Sequence, residues 1–515
     1  MVPDRRHTIV LFSIGIAGVA MICGLIVLAF VLPPLLKQNV ENQLSEYFAS
    51  DVQMQEIEVS VFPRISLVAS GVLLRQKGRT DVPPLIQISK LTLATNIGGI
   101  LLKPRRISVV HLDGLQIHVP TRPHVREEKK PPIERKKPSS VVIGKVTLAD
   151  ATIEMAPNKP GRLPLTLQIH SLVMHSFSFE VPAPFEAVLT NPKPFGEIAT
   201  EGQFGPWEAD DPAETPVSGA FHFSHADMAT IRGLSGFLDS NGKYAGVLRE
   251  ISVEGDTDIP DFALISSRKP VHLTTHYLAL VDGTNGDTEL KSVHGHFLNS
   301  SVDASGLVAG AVGMKGRRVT LDARINDARV EDMIYLVANM DKPSMTGPIT
   351  MQSKIDIPPG DSTVLDRLMV DGQFGVQGAH FTDSGTQGKI DALSRGGQGQ
   401  LKNENIENVL SNLRGHLVIK DGRATFSKLT FKVIGASVEL SGSYDLKGQQ
   451  LDFHGNLLLD GKLSQMTSGA KSFFLKLADP FFKKSGGGTS LPIKITGTGL
   501  HPSFALDLHQ KSDDP

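Results

Sequence analysis

From Val52 onward, apolar and polar residues alternate with a period of two over most of the chain. Ile57, Val59 and Val61 alternate with Glu58 and Ser60; Ile65/Leu67, Leu91/Leu93 and Leu115/Ile117/Val119 follow. Successive side chains of a strand point to opposite faces, so this pattern predicts half-buried β-strands. The clearest block is Gly415 to Leu459. There Leu417/Ile419, Phe426, Leu429/Phe431/Val433, Val438/Leu440, Tyr444/Leu446 and Leu451/Phe453 predict a meander. Asp113-Gly114, Asp282-Gly283, Asp371-Gly372, Asp421-Gly422 and Asp460-Gly461, and the weaker Asp150-Ala151, are predicted as tight turns, because Asp and Gly tolerate positive φ. Asn96 to Pro104 is a break between strand blocks.

Helical periods are few. Leu36, Val40, Leu44, Tyr47 and Phe48 form one stripe, predicting a helix over Pro33 to Phe48. Val330, Met333, Ile334 and Val337 predict another within Asp327 to Asn339, and Ser224 to Leu234 reads as a short capped turn. Leu463, Met466, Ala470, Phe473, Phe474 and Leu477 share a face of a helix that Asp479-Pro480 stops. Phe481, Phe482, Lys483 and Lys484 follow. Two roles stay open for this segment. It can cap the end of the sheet, or it can face a membrane or partner with Phe473, Phe474, Phe481 and Phe482 inserted and Lys483 and Lys484 meeting anionic groups.

The run Thr8 to Leu32 has no ionisable side chain except the Cys23 thiol. A span needs about 20 apolar residues. Arg5 and Arg6 precede the run, which predicts a cytoplasmic N-terminus and an exported body. The alternatives are a cleaved signal peptide and a lipoprotein. The length of the run and the following Phe30-Val31-Leu32-Pro33-Pro34 argue against the first, and Ile22 before Cys23 against the second.

These features divide the 515 residues into a tail (1–7), an anchor (8–32), an N-terminal helix and β unit (33–119), a Pro- and Lys-rich linker (120–140), a long β-meander (141–462), the amphipathic helix with its Phe-Phe-Lys-Lys segment (463–484) and a terminal strand pair with a tail (485–515). The net charge of −2 gives no basic field for nucleic acid. The single cysteine allows no intrachain disulfide.

Catalytic and cofactor motifs are missing. The chain has no His-Glu-x-x-His, Gly-x-Ser-x-Gly, phosphate-binding loop or paired cysteines, so neither an enzyme nor a cofactor is expected. Gly396-Gly-Gln-Gly399 reads as a loop, and Asp282 to Asp287 as a hairpin turn. His272/His276 and His294/His296 each fall on one strand face, without a third element at ligand spacing. No metal site is expected.

Read together, the anchor, the helix to Phe48, the pattern ending Leu115-Gln-Ile-His-Val, and the series Asp327-Ala-Arg-Val-Glu-Asp-Met, Phe426-Ser-Lys-Leu-Thr-Phe, Gly442-Ser-Tyr-Asp-Leu, Asp479-Pro-Phe-Phe and Ile495-Thr-Gly-Thr-Gly-Leu-His-Pro resemble the AsmA-like family of Gram-negative inner-membrane proteins, relatives of TamB and of repeating-β-groove lipid-transfer proteins. The resemblance implies a mainly β fold: an elongated, twisted, antiparallel sheet forming an open gutter with an apolar inner face and a few short covering helices. It also implies an inner-membrane anchor, a periplasmic body, and phospholipid carried toward the outer membrane. Leu417, Ile419, Val438, Leu440, Leu451 and Phe453 are then candidates for the lipid groove. On pattern alone, a second sheet making an ordinary sandwich covers such a face equally well. A scaffold for outer-membrane protein assembly, with an outer-membrane or periplasmic protein partner, and an ectodomain binding protein or glycan are the functional alternatives.

Overall fold

The computed structural model describes residues 41–42, 45, 50–60, 64–76, 83–96, 98–99, 105–119, 141–155, 165–208, 211–311, 314, 316–340, 342–397, 409–459, 489–499 and 501–507. The run Thr8 to Leu32, the 120–140 linker and the 463–484 segment with Phe473, Phe474, Phe481, Phe482, Lys483 and Lys484 lie outside them. No helix among the described residues is long and apolar enough to cross a membrane.

Among the described residues, twenty-six strands follow in chain order. The first group is β1 (Ser50–Gln53), β2 (Glu56–Ser60), β3 (Ile65–Gln76), β4 (Ile86–Thr95) and β5 (Arg105–Val119). Next come β6 (Val141–Met155), β7 (Leu165–Phe177), β8 (Ala183–Pro192), β9 (Phe195–Phe204), β10 (Pro216–Asp227), β11 (Leu234–Ser235), β12 (Phe237–Val247), β13 (Glu250–Leu264), β14 (Val271–Val281), β15 (Thr288–Phe297), β16 (Ser300–Gly310) and β17 (Arg317–Arg329). Then follow β18 (Met345–Thr346), β19 (Pro348–Ile357), β20 (Met369–Phe381), β21 (Ser411–Lys420), β22 (Arg423–Val433), β23 (Ala436–Asp445), β24 (Gln450–Leu459), β25 (Thr489–Thr498) and β26 (Pro502–Leu506). Among the described residues, three α-helices stand between the later strands: α1 (Val330–Val337), α2 (Val364–Arg367) and α3 (Ser384–Gly397).

Apart from the two-residue strands β11 and β18, each strand from β3 on pairs with the next long strand in sequence, so a single sheet carries the described strands. It is a curled, open half-barrel; the described residues are 71% strand and 9% helical, which leaves little helix among them to cover it. The antiparallel expectation fails at one step. β5 and β6 run parallel, with Arg105 opposite Val141 and Val119 opposite Met155. β5 therefore ends on one rim of the sheet and β6 begins on the other. Strand pairing continues unbroken across this linker.

Three predicted turns are also corrected. Asp113-Gly114 and Asp150-Ala151 lie inside β5 and β6, where Gly114 (φ 61°) and Asp150 (φ 51°) take positive φ and pairing skips both while the register holds on either side. Asp371-Gly372 lies inside β20, where Gly372 lets the Ser353 side chain approach to 2.6 Å from the site of a Cβ. Asp421-Gly422 is a hairpin turn with φ 52° and 72° at its two residues, and Asp282-Gly283 turns between β14 and β15. Gly396 and Gly397, read as loop, end α3.

One free edge is blunted. Met54 N donates to Glu41 Oε1 (2.7 Å) and Val52 N donates to Ser45 Oγ (2.9 Å), so side chains of the helical residues before β1 take up amides of this edge strand.

Candidate functional site

Register carries one face through the whole sheet. Leu189 pairs with Ile198, Ile198 with Phe223, Phe223 with Ser240, Ser240 with Thr257, Thr257 with Thr275, Thr275 with Gly295 and Gly295 with Val302. Further on, Ile355 pairs with Val370, Val370 with Ile419, Ile419 with Ala424, Ala424 with Tyr444 and Tyr444 with Leu451. From Leu167 on β7 to Phe504 on β26, no Asp, Glu, Lys or His stands at a paired position of this face; Arg317, at the start of β17, is its single guanidinium. The opposite face carries the charges: Glu254, Asp256, His276, His294, Asp303 and Arg324, among others. The uncharged side is the inside of the curl. Along β13 its Ile251, Val253, Gly255 and Thr257 are buried or half-buried, while Ser252, Glu254, Asp256 and Asp258 are exposed.

The inside is shaped by rings laid over glycines. Tyr244 crosses Gly219 on β10 to reach Thr200 on β9, with 2.7 Å between its hydroxyl and Thr200 Oγ1. Tyr277 repeats the arrangement, crossing Gly255 on β13 to reach Ser240 Oγ on β12 at 3.1 Å. Phe221 and Phe453 lie against Gly242 and Gly442 in the same way. Burial raises the Tyr244 and Tyr277 phenols above their ordinary range, and Asp256 adds to the effect at Tyr277. Both hydroxyls are thus neutral and locally bonded, and the ring faces add apolar surface to the inside.

Coverage of this face varies along the sheet. Over β3 to β6 it is a packed core, with Ile88, Leu91, Val110 and Leu112 fully buried. Over β23 to β26 a second cluster forms, and Leu393 of α3 packs against it. Gln387 and Asp391 fasten α3: Gln387 Nε2 donates to the Val409 carbonyl (3.1 Å), and Val409 N donates to Asp391 Oδ1 (2.9 Å). Lys389 Nζ stands 4.9 Å from the centre of the Phe504 ring. Between these ends a third cluster joins Ile325, Ala328, Ile349, Val376 and Leu413 to Val330 of α1, with Met333 and Ile334 packed against it, whereas Tyr244, Val253, Tyr277, Leu290, Leu321 and Ile355 are only half-buried.

All six groove candidates lie on the uncharged face. Leu417 and Ile419 of β21 and Leu451 of β24 are half-buried, whereas Val438, Leu440 and Phe453 are buried in the C-terminal cluster. The more open stretch, β9 to β19, was not singled out from the sequence. Its signal was the glycine opposite each tyrosine, visible only once register is known.

On the outer face the four histidines pair with side chains across strands. His276 Nδ1 meets Asp256 Oδ1 at 2.9 Å, His296 meets Ser301, and His272 and His294 bond Asp258 and Asp303. No group of three or more His, Cys, Asp or Glu side chains is placed to hold a metal among the described residues. No family model, curated protein or solved structure matches the chain.

Proposed function

We propose that the uncharged inner face holds acyl chains of phospholipid, and that the protein is a membrane-anchored carrier of lipid. The observation that supports this most is the half-buried apolar stretch of Tyr244, Val253, Tyr277, Leu290, Leu321 and Ile355, on a face that from β9 to β19 carries no charged side chain at a paired position except Arg317. Soluble proteins rarely leave apolar patches beyond a few hundred Å² uncovered. Each acyl CH₂ removed from water there is stabilised by about 0.8 kcal/mol. A headgroup stays at the mouth, within reach of rim charges such as Arg317 and Asp287.

In this reading the Thr8 to Leu32 run anchors the chain in an inner membrane, with Arg5 and Arg6 on the cytoplasmic side and the sheet in the periplasm. Lipid then moves along the gutter toward the outer membrane, and transport consists of passive shielding. The resemblance to AsmA-like proteins supports the same direction.

The test is lipid bound to the purified full chain. Val253→Asp and Leu321→Asp each place a carboxylate on the half-buried stretch, and are expected to lower phospholipid per chain by roughly threefold or more. Ser252→Asp, one residue away on the outer face, is expected to leave it unchanged. Equal lipid in all three variants overturns the reading.

A further inference from the structure

The two rims of the gutter touch. The connection between β10 and β12 lies on one rim, and the connection between β19 and β20 on the other. Six pairings separate β12 from β19. Nevertheless Val364 N donates to the Arg232 carbonyl at 2.8 Å, and the Arg232 guanidinium donates to the Asp361 carbonyl. Gly233 (φ 103°) fits because it lacks a side chain: a Cβ there would lie 3.0 Å from Val364 N.

Each loop is fastened to its own rim. Ile265 N donates to the Gly233 carbonyl (3.0 Å), and Leu234 pairs with Leu264. On the other side, Thr363 caps α2, Lys447 Nζ bonds Asp366, and Arg367 Nε donates to the Ser362 carbonyl (3.1 Å). A second approach follows the same offset. Met340, after α1, lies against Gly499, between β25 and β26, where a Cβ would come within 2.8 Å of Met340 Cε. Six pairings again separate β19 from β25. A sheet that curls toward its inner face brings its rims together on that side, so both contacts span the mouth.

We infer that Arg232-Gly233 and Asp361 to Val364 form a clasp across the mouth of the gutter, which admits lipid sideways only when it opens. This rests on the lipid reading. Under the closed clasp the inner face of β12 to β19 is a passage open at its ends. An acyl chain reaches it lengthwise, or laterally after the Val364–Arg232 and Arg232–Asp361 bonds break. The clasp suits such a role because few bonds cross the gap, while each half is held by its own rim. Opening therefore does not require strands to separate.

The experiment uses the full chain with Cys23→Ser and a phospholipid carrying a fluorescent acyl chain, followed as it leaves quenched donor vesicles. Arg232→Cys with Asp361→Cys is joined by a short bis-maleimide. The joined protein is expected to load several-fold more slowly than the same protein before joining. Gly233→Val, which forces the loops apart, is expected to load several-fold faster, with faster exchange of the Val364 amide. Arg232→Ala is the milder variant if Gly233→Val misfolds. Unchanged loading in the joined protein and in an opened variant overturns the gate, as does failure of the two cysteines to join. Efficient joining without uptake by any form, wild type included, overturns the lipid reading and the gate with it.

Discussion

Tyr244 on β12 lies across Gly219 on β10, so closely that a Cβ on the glycine would come within 2.6 Å of the phenolic oxygen. The same Cβ would stand 2.2 Å from the Glu201 carbonyl, which is backbone and cannot swing away. Gly219→Ala is therefore expected to destabilise the protein by about 1–3 kcal/mol, as overpacking does. Gly388→Ala supplies the contrast: Gly388 sits within α3 with nothing within 4 Å of a Cβ, and its replacement is expected to stabilise by about 0.5–1 kcal/mol. Thermal melts of the two variants check both signs.

The two parts of the uncharged face should respond differently to charge. Leu440 and Phe453 are 8% and 7% exposed within the C-terminal cluster. Leu440→Asp and Phe453→Asp bury a carboxylate without a partner there, and are expected to unfold the β21 to β26 end. Val253 is half-buried, and Val253→Asp should keep the fold. Circular dichroism and limited proteolysis distinguish the outcomes.

Asp332 is 5% exposed at the start of α1, where its Oδ2 accepts from Ser300 Oγ (2.7 Å) and Asn299 N (2.9 Å). Asp332→Ala leaves both donors unpaired, and is expected to cost about 2–3 kcal/mol. A denaturant titration measures it. A loss near zero would contradict this role for Asp332.

His454 on β24 ties down the last strand. Its Nδ1 meets Asp507 Oδ2 at 2.6 Å, and its Nε2 meets Asp452 at 3.0 Å. The bond to Asp507 raises the imidazole pKa above its ordinary value, outweighing burial, and Asp452 adds to the rise. A raised folded pKa means that stability from this pair is complete below the unfolded value and is lost as pH climbs through the folded one. The side chain is half exposed, so the contribution is about 0.5–1 kcal/mol. The melting difference between wild type and Asp507→Asn should shrink from pH 6 to pH 9. A constant difference would contradict the assignment.

The alternation along the meander was legible because burial on one side writes itself into a period of two. Val438, Leu440 and Leu451 fall on the expected face for this reason. Asp113-Gly114 and Asp371-Gly372 misled because a glycine in a strand serves a positive φ or a close approach as readily as a hairpin. The α3 helix went unread because its glycines mask its period, while its hold on the sheet comes from Gln387 and Asp391 bonding distant backbone. The parallel β5–β6 step and the Arg232–Val364 contact depend on curl and register, which no local pattern encodes.

The claim that acyl chains lie on the inner face is tested most directly by photo-crosslinking along one strand. A photoreactive amino acid is placed in turn at Ile251, Ser252, Val253 and Glu254 of β13 in the full chain, in membranes carrying labelled phospholipid. The account predicts label at Ile251 and Val253, whose side chains are half-buried on the inside, and none above background at Ser252 and Glu254, which are exposed on the outside. Equal labelling at all four positions, or labelling at Ser252 and Glu254 alone, would contradict it.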